Sequence, residues 1–184
     1  MSLPQEKHYT IEDIENLPEG ERAELIDGRI YNMSAQSSTH QRISGFLSNT
    51  IWNHIIAKKG RCEVFTAPFA VYILKDDYNY VEPDISVICD KNKITEKGCN
   101  GAPDWIIEIT SPSNAGHDYI TKSSFYQNAD VKEYWIVNPQ KESITVFYFA
   151  GEDLSPDHYK FTDKITAHLF DDLTIDFNIM LELI

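Results

Sequence analysis

Two acidic residues in the sequence lie in short apolar runs, where an ionised side chain is costly unless another charge compensates it. Asp84 directly precedes the run ISVI at residues 85–88, and Glu108 lies inside the run WIIEI at residues 105–109. Both runs are typical of buried β-strands, and an unpaired carboxylate in such a strand is expensive. A divalent cation shared by the two acids would provide the compensation. The pattern therefore indicates metal-dependent cleavage of a phosphodiester.

The two acids are a sufficient set of protein ligands for magnesium. Mg²⁺ is commonly bound through one or two carboxylates together with waters and phosphate oxygens, and Mn²⁺ also suits oxygen ligands. A metal held by Asp84 and Glu108 would lower the pKa of a bound water and stabilise charge developing on the phosphate. We therefore expect Mg²⁺, or Mn²⁺, as the cofactor.

Two charged residues near these acids allow a functional and a structural interpretation. The two-residue period of a strand places Glu82 on the same face as Asp84, so Glu82 either assists the site or is an exposed charge where the strand begins. Lys122 lies on a predicted helix after the Glu108 strand and could reach the carboxylates. It could equally form a surface ion pair with Asp118, four residues earlier.

The length and composition fit one domain covering residues 1–184, with 42% hydrophobic and 24% charged residues. No apolar run approaches the roughly 20 residues of a membrane span, and residues 1–7 lack the pattern of a signal peptide, so we expect a cytoplasmic protein without membrane contact. Cys62, Cys89 and Cys99 show no metal or redox spacing, which predicts unpaired packing residues in a reducing compartment. The histidines likewise show no zinc spacing.

The formal net charge of −13 argues against a general nucleic-acid binder, because affinity for a polyphosphate comes mainly from Lys and Arg. Any contact with DNA must then be local. The stretch Lys58-Lys59-Gly60-Arg61 is one candidate for such a contact. Lysines at a helix end also occur because they favour the negative end of the helix dipole, so both interpretations of this stretch stay open.

Hydrophobic periodicity and turn residues predict a mixed α/β or α+β chain. Asp27-Gly28 predicts a tight turn between strands 23–26 and 29–33. Helices are predicted from Thr10 to about Pro18, from about Ser38 to Lys59 and from Gly116 to Ala129, with a break at residues 111–114 before the last. Strands are predicted at 62–65, 69–74, 84–88, 105–109, 133–138 and 143–148, with short strands 158–161 and 171–175 that extend or cover the sheet. Residues 90–103 are predicted to form an exposed connection with room for a helical turn.

Several ordered sequence blocks together resemble one protein family. They are AELIDG at residues 23–28, HQRI at 40–43, EPD at 82–84, GAPDWIIEITSPS at 101–113, Lys122 with Tyr126, and VKEYWIVNP at 131–139. In this order they resemble the Uma family of restriction endonuclease-like proteins, over about residues 10 to 150. That family belongs to the PD-(D/E)xK nuclease superfamily.

The resemblance implies an α/β (α+β) restriction endonuclease-like core, in which helices flank a mixed sheet, here with an N-terminal β-hairpin and a C-terminal β extension. It makes Asp84 and Glu108 metal ligands, with the main-chain carbonyl of Ile109 as an additional ligand. The usual superfamily lysine, two residues after the second acid, is replaced by Thr110, which cannot supply a cation. The resemblance assigns that part to Lys122 instead.

Glu24 and His40 match further positions of the family pattern and are candidate site residues by resemblance. Glu24 could help to hold a metal or position a water, although an acidic strand residue beside a hairpin is often solvated. His40 could contact phosphate or transfer a proton near neutral pH, although a histidine in the first turn of a helix is often a polar packing residue.

The sequence thus predicts a metal-dependent endonuclease acting on DNA. Two alternatives stay open: a catalytically silent nuclease-fold module for binding or assembly, which Thr110 and the acidity favour, and a metal-dependent hydrolase of a small phosphorylated substrate. Edge strands and the aromatic residues Trp135, Tyr148 and Phe149 predict a homodimer, since restriction-type nucleases often cut duplexes as symmetric pairs.

Overall fold

The centre of the fold is a six-stranded mixed sheet, seen in a computed structural model that describes residues 8–111 and 118–182. Its strands are Glu63–Thr66 (β3), Ile85–Ile88 (β5), Trp105–Ile109 (β8), Glu133–Asn138 (β9), Ser143–Tyr148 (β10) and Asp157–Lys160 (β11). The spatial order is β11-β10-β9-β8-β5-β3. Only β8 and β9 are parallel within this sheet of described strands; its other neighbours are antiparallel. The predicted mixed sheet flanked by helices is confirmed.

The two parallel strands are apolar along most of their length because both of their faces are covered. Every residue of β8 and β9 is buried. Trp105 and Ile107 pack on one face, and Ile106 packs on the other. Two-sided burial is expected of parallel strands, whose crossover connection lies on one face of the sheet.

One face is covered by a long helix, Ser38–Ala57 (α2), as the sequence predicts. Its buried apolar residues recur at helical spacing: Ile43, Leu47, Ile51 and Ile55. Ser37 caps the N-terminus by accepting a hydrogen bond from the His40 N–H at 3.2 Å. At the other end, Lys59 adopts the left-handed conformation, with φ of 52°, and the chain leaves the helix one residue before Gly60.

The opposite face carries a hairpin, a small sheet and a short helix. The hairpin strands are Ala23–Ile26 (β1) and Arg29–Asn32 (β2), and the small sheet contains Val71–Tyr72 (β4), Ile94–Thr95 (β6) and Gly98–Asn100 (β7). A π-helical turn, Asp118–Lys122, leads into Ser123–Asn128 (α3). The predicted helix at 116–129 is therefore present over 118–128, while residues 116–117 and the break at 112–114 lie outside the described residues.

The N-terminal predictions agree with the structure. The helix Ile11–Glu15 (α1) starts with a capping box in which Thr10 and Asp13 bond each other. Asp27 and Gly28, with φ of 50° and 73°, form the turn between β1 and β2. Positive φ at both positions matches the twist of a tight hairpin. This hairpin fixes Glu24 on its first strand.

Two predictions for the middle of the chain are wrong. Residues 69–74 do not form a long strand; only β4 forms there, and it belongs to the small sheet. Residues 90–103 contain β6 and β7 besides the expected 3-10 turn at Lys91–Lys93. This Lys-, Asn- and Gly-rich segment lacks strand alternation, and its pairing depends on Gly98, where a Cβ atom would lie 2.2 Å from the Ala70 carbonyl oxygen.

The C-terminal segment both extends and covers the sheet. Strand β11 pairs with β10 at the sheet edge. Strands Lys164–Thr166 (β12) and Thr174–Asp176 (β13) pair with each other, and a short helix, Asn178–Leu181 (α4), follows. Ile165, Ile175 and Met180 from this segment pack into the same core cluster as α2.

The prediction that all three cysteines are unpaired is wrong for two of them. Cys62 and Cys89 form a disulfide. They directly flank the paired residues Glu63 and Ile88 of two antiparallel strands, so the strand register brings them together although 27 positions separate them in sequence. Cys99 is buried and free, as predicted.

The aromatic residues that were expected to be exposed and to favour a homodimer are buried or half-buried in the structure. Trp135 is completely buried in β9, and Tyr148 and Phe149 are half-buried. A homodimer stays a prediction that rests on the sheet edges β3 and β11. No helix among the described residues is long and apolar enough to cross a membrane.

Candidate active site

A cavity of about 580 Å³ lies where β8 ends and α2 begins. Its wall contains all five candidate side chains, namely Glu24, His40, Asp84, Glu108 and Lys122, together with Ile109. Other parts of the wall come from the hairpin, from the segment 33–37 between β2 and α2, and from Thr110, Ser111, Pro139 and Gln140. The sequence-predicted residues therefore lie around one hollow. Their chemical roles stay predictions.

Strand register explains why the two predicted metal ligands lie close together. Ile85 pairs with Ile107 and Ser86 with Ile106 in the antiparallel β5–β8 pair, and the same register continued by one residue sets Asp84 beside Glu108. Side chains opposite each other in such a pair share a face, with Cβ atoms about 5 Å apart. Two like charges in this arrangement repel each other unless a cation lies near them.

Asp84 lies immediately before β5 and is held by three donors. Its Oδ2 accepts hydrogen bonds from the Ile109 N–H at 2.8 Å and from His40 Nε2 at 2.9 Å. Its Oδ1 accepts one from Gln36 Nε2 at 2.7 Å. Only 6% of Asp84 is exposed, so these contacts replace the water that the carboxylate loses on folding.

Lys122 forms a buried ion-pair cluster with two glutamates. Its Nζ lies 2.8 Å from Glu108 Oε1 and 2.8 Å from Glu24 Oε2, and only 4% of the residue is exposed. The Tyr126 hydroxyl donates a further hydrogen bond to Glu108 Oε1 at 2.8 Å. The structure thus places Lys122 against the carboxylates, while the side chain of Asp118, its alternative partner, lies outside the described part.

The sequence allowed Glu24 to be a solvated residue and Glu82 to be an exposed charge, and the structure contradicts both interpretations. Glu24 is not solvated but 4% exposed, and its Oε1 accepts the Glu82 N–H at 3.1 Å. Glu82 is buried as well, rather than an exposed charge at a strand start. Its carboxylate binds Arg22 and accepts the Tyr80 hydroxyl at 2.6 Å, and it does not line the cavity. Glu82 therefore supports the hairpin rather than the site.

His40 binds Asp84 through Nε2, so its contact is with the carboxylate. Its other ring nitrogen, Nδ1, is buried and has no hydrogen-bond partner among the described residues. Thr110 Oγ1 has the same property. With one ring nitrogen on Asp84 and the other enclosed, the geometry favours His40 as a residue that orients Asp84 over one that reaches into the cavity.

Gln36 is the site contact that sequence reasoning missed. It lies in the polar segment between β2 and α2, where neither periodicity nor a charge in an apolar run distinguishes it. The helix cap at Ser37 fixes the chain just after Gln36. Without the fold, however, no signal connects Gln36 with Asp84, which follows 48 positions later.

The side chains around the cavity fit a hard divalent cation that keeps part of its water shell. Among residues 8–111 and 118–182, no three His, Cys, Asp or Glu side chains are grouped so as to hold a metal ion. Asp84 and Glu108 are, however, the one or two carboxylates that Mg²⁺ typically takes. The Lys122 amine already pairs with Glu24 and Glu108, so three wall carboxylates face one lysine and His40. This excess of acidic groups favours a cation over an anion.

The basic stretch 58–61 is far from this cavity. It lies at the C-terminal end of α2, while His40 lies in the first turn. At 1.5 Å per residue, the 18 positions between His40 and Lys58 correspond to about 27 Å. Lys58 moreover pairs with Asp172. The stretch therefore cannot form part of the wall.

The arrangement of sheet and helices matches a solved structure. A protein from Anabaena variabilis ATCC 29413, described as a "putative nuclease belonging to DUF820", aligns with a TM-score of 0.75 over 95% of this chain and 98% of that chain, at 18% sequence identity. At this identity the likeness shows the fold alone. The fold is restriction endonuclease-like.

The family follows from the sequence match. The model of the Uma2 family, described as "Putative restriction endonuclease", matches residues 10–178, and the chain belongs to this family. Two Synechocystis proteins are similar: "Uncharacterized protein slr1290" is 30% identical over 70% of this chain and 66% of that protein, and "Uncharacterized protein sll1609" is 28% identical over 64% and 67%. The chain thus spans about two thirds of the length of these relatives.

Proposed function

We propose that this protein is a divalent-metal-dependent endonuclease that hydrolyses phosphodiester bonds in DNA. The observation that carries the proposal is that two buried carboxylates, Asp84 just before β5 and Glu108 in β8, line one cavity together with the Lys122 amine. Membership of a family described as "Putative restriction endonuclease" supports the same class of reaction.

Each side chain has a distinct part in the proposed hydrolysis. Asp84 and Glu108 would hold Mg²⁺ or Mn²⁺, with the Ile109 carbonyl as a proposed additional ligand. A bound ion would supply a water of lowered pKa and stabilise charge on the phosphate. Lys122 pairs with both glutamates and lies where its amine can stabilise phosphoryl charge.

The remaining residues position these groups. Glu24 binds the Lys122 amine together with Glu108, and His40 orients Asp84. In the reaction a water oxygen bonds to phosphorus, one P–O ester bond breaks, and the leaving oxygen takes up a proton. The water is aligned for this attack by the groups around it, and such alignment supplies much of the barrier lowering in phosphoryl transfer.

Cleavage of supercoiled plasmid with Mg²⁺ or Mn²⁺ tests the proposal. Asp84→Asn and Glu108→Gln should each lower the rate on the order of 10³-fold, because several kcal/mol of metal-borne stabilisation is lost. Asp104→Asn is the matched control, since Asp104 is another buried strand-end acid, paired with Lys132 at 2.6 Å and outside the cavity wall. Equal background rates for the wild type and Glu108→Gln would instead favour a silent binding or assembly module.

A hydrolase of small phosphorylated substrates is a second candidate because of two features of the cavity. Its volume of about 580 Å³ falls within the range of roughly 300–1,000 Å³ typical of small-molecule sites. Among the described wall residues, Lys122 is the one Lys or Arg, whereas duplex binding draws on many phosphate contacts. Release of phosphate from nucleoside monophosphates, without cleavage of plasmid or oligonucleotide, would decide for this candidate.

A further inference from the structure

The lone pairs of Asp84 are unequally occupied. Each oxygen of an ionised carboxylate can accept about two hydrogen bonds. Oδ2 accepts two, from the Ile109 N–H and from His40. Oδ1 accepts one from described residues, the bond from Gln36. The remaining acceptor position of this carboxylate is therefore on Oδ1.

Gln36 is itself held in one orientation. Its Oε1 accepts a hydrogen bond from Gln41 Nε2, so its amide nitrogen is the end directed at Asp84. A carboxylate can only accept, which requires the same orientation. Gln41 belongs to α2, and α2 is capped at Ser37, the residue next to Gln36. A chain of two amides thus connects the start of α2 with Oδ1 of Asp84.

The hydrogen bond from Gln36 holds Oδ1 of Asp84, which the main-chain donor Ile109 does not contact, and so fixes the plane of the carboxylate. Oδ2 is anchored to the sheet through the Ile109 N–H, and rotation about that anchor would carry Oδ1 away from its place in the wall. The bond at 2.7 Å from Gln36 opposes this rotation. Hydrogen bonds of this kind to a metal-binding carboxylate commonly change metal affinity by 10–100-fold.

We propose that Gln36 is a positioning residue for the metal, holding Asp84 so that Oδ1 offers its open lone pair to the divalent ion. This inference rests on the proposed function, and it deepens it by naming the oxygen that binds and the side chain that aims it. In this role Gln36 acts through Asp84, to which its amide is bonded, and is not itself a ligand of the ion.

The test is Mn²⁺ binding, measured by electron paramagnetic resonance of the free ion, on the full chain. Gln36→Met keeps the length of the side chain and removes its amide, and we expect the dissociation constant for Mn²⁺ to rise about 10–100-fold. Gln41→Met, which removes only the orienting donor, should raise it by a few fold. Gln127→Met is the matched control, since Gln127 is exposed and lies outside the cavity wall, and it should bind Mn²⁺ like the wild type.

A second measurement separates positioning from general stability. The Tm of each variant is measured without metal and with saturating Mn²⁺, because binding to the native state raises Tm according to affinity. We expect Gln36→Met to keep the metal-free Tm of the wild type and to lose most of the Mn²⁺-induced rise. A lowered metal-free Tm with an unchanged rise would overturn the proposal.

The outcomes also distinguish this inference from the proposed function. If the wild type binds Mn²⁺ and Asp84→Asn does not, while Gln36→Met binds as tightly as the wild type or more tightly, the positioning role is refuted and the metal site stands. If the wild type itself binds no Mn²⁺, or Asp84→Asn binds it equally well, both the metal-dependent function and the role of Gln36 are refuted.

Discussion

Both ends of the central sheet bury acidic side chains, but the surroundings of these side chains differ. At the site end, where β8 and β9 finish and β5 begins, Asp84 and Glu108 line a cavity. At the far end, where β8 and β9 begin and β5 finishes, Asp104 and Glu133 are equally buried but lie outside the cavity wall. Burial of an acid in an apolar strand is thus common to both ends, and the surroundings of the acid separate them.

Glu133 at the far end is held by three neutral N–H donors. Its Oε1 accepts from Trp135 Nε1 at 2.7 Å and from the His168 N–H at 3.0 Å, and its Oε2 accepts from the Leu169 N–H at 2.7 Å. The carboxylate therefore joins the C-terminal segment to the sheet. Burial nevertheless raises the pKa of Glu133 above its usual range, because desolvation outweighs these hydrogen bonds.

Asp104 and the disulfide complete a set of structural contacts at the far end. Asp104 accepts the Cys89 N–H at 2.7 Å and pairs with Lys132 at 2.6 Å, while Cys89 is bonded to Cys62. At the site end, Asp84 likewise accepts a main-chain N–H besides its side-chain donors, and Glu108 pairs with Lys122. Both ends therefore combine main-chain and side-chain donors, and the difference is that the candidate catalytic acids lie next to open space.

The largest expected effect on stability is that of Lys122→Met, which removes the ion pairs at the site end. It leaves Glu24 and Glu108 buried without their shared cation, and removing one partner of a buried pair typically costs about 3–5 kcal/mol. We expect a loss of this size in the free energy of unfolding, measured in urea at pH 7. The double variant Lys122→Met/Glu108→Gln should recover part of it, because one of the two uncompensated charges is gone.

The control for this change is Lys132→Met at the far end. Lys132 pairs with a buried acid too, but 53% of its side chain is exposed, so solvent screens the pair and the loss should be about 1 kcal/mol or less. Equal losses for the two lysine variants would show that the two ends do not differ in the way described.

The next largest effect on stability is expected from the double variant Cys62→Ser/Cys89→Ser, which removes the disulfide at the far end. A disulfide that closes a loop of 27 residues contributes about 3–4 kcal/mol in the chain-entropy model. We expect the free energy of unfolding to fall by up to that amount while Mn²⁺ binding at the site end stays as in the wild type. Weakened Mn²⁺ binding in the double variant would mean that the far end controls the site.

The sequence could predict the elements whose patterns are local. The hairpin at Asp27-Gly28, the strands β9 and β10 and the helix from Ser38 follow from turn residues, apolar runs and helical spacing within a few positions. The apolar context of Asp84 and Glu108 was also visible, and the fold sets both in one cavity wall. For Lys122 the sequence allowed two partners, and its burial in the structure decides against a surface pair.

The sequence could not predict the contacts that depend on distant pairing. Glu133 has an apolar context like that of Glu108, but two of its donors arrive from residues 35 and 36 positions away. Cys62 and Cys89 meet through strand register rather than through spacing in sequence. Gln36 lies in a segment without periodicity. Local patterns therefore find a buried acid but not the donors that determine its use.

Replacing Glu133 or Glu108 by glutamine is expected to change stability less than the preceding variants, and it compares the two ends of the sheet directly. In Glu133→Gln an NH₂ group must face an N–H donor, so we expect a loss of about 1–3 kcal/mol in stability and no change in cleavage or Mn²⁺ binding. In Glu108→Gln, Lys122 keeps Glu24 as a partner, so we expect a smaller loss in stability together with loss of Mn²⁺ binding. Urea unfolding and Mn²⁺ titration of both variants check this crossed pattern, and parallel changes in both properties would contradict it.

The smallest expected effect is the pH dependence that Glu133 gives to stability. Because burial raises its pKa in the folded state, the contribution of Glu133 is fully present below the usual glutamate pKa and is lost as pH rises through the raised value. The stability deficit of Glu133→Gln relative to the wild type should therefore shrink from pH 4 to pH 7, by roughly 1.4 kcal/mol for each unit of the pKa shift. Urea unfolding at both pH values, with equal m-values for the two proteins as the control, measures this difference. A deficit that grows with pH would mean that the N–H donors lower the pKa of Glu133 by more than burial raises it.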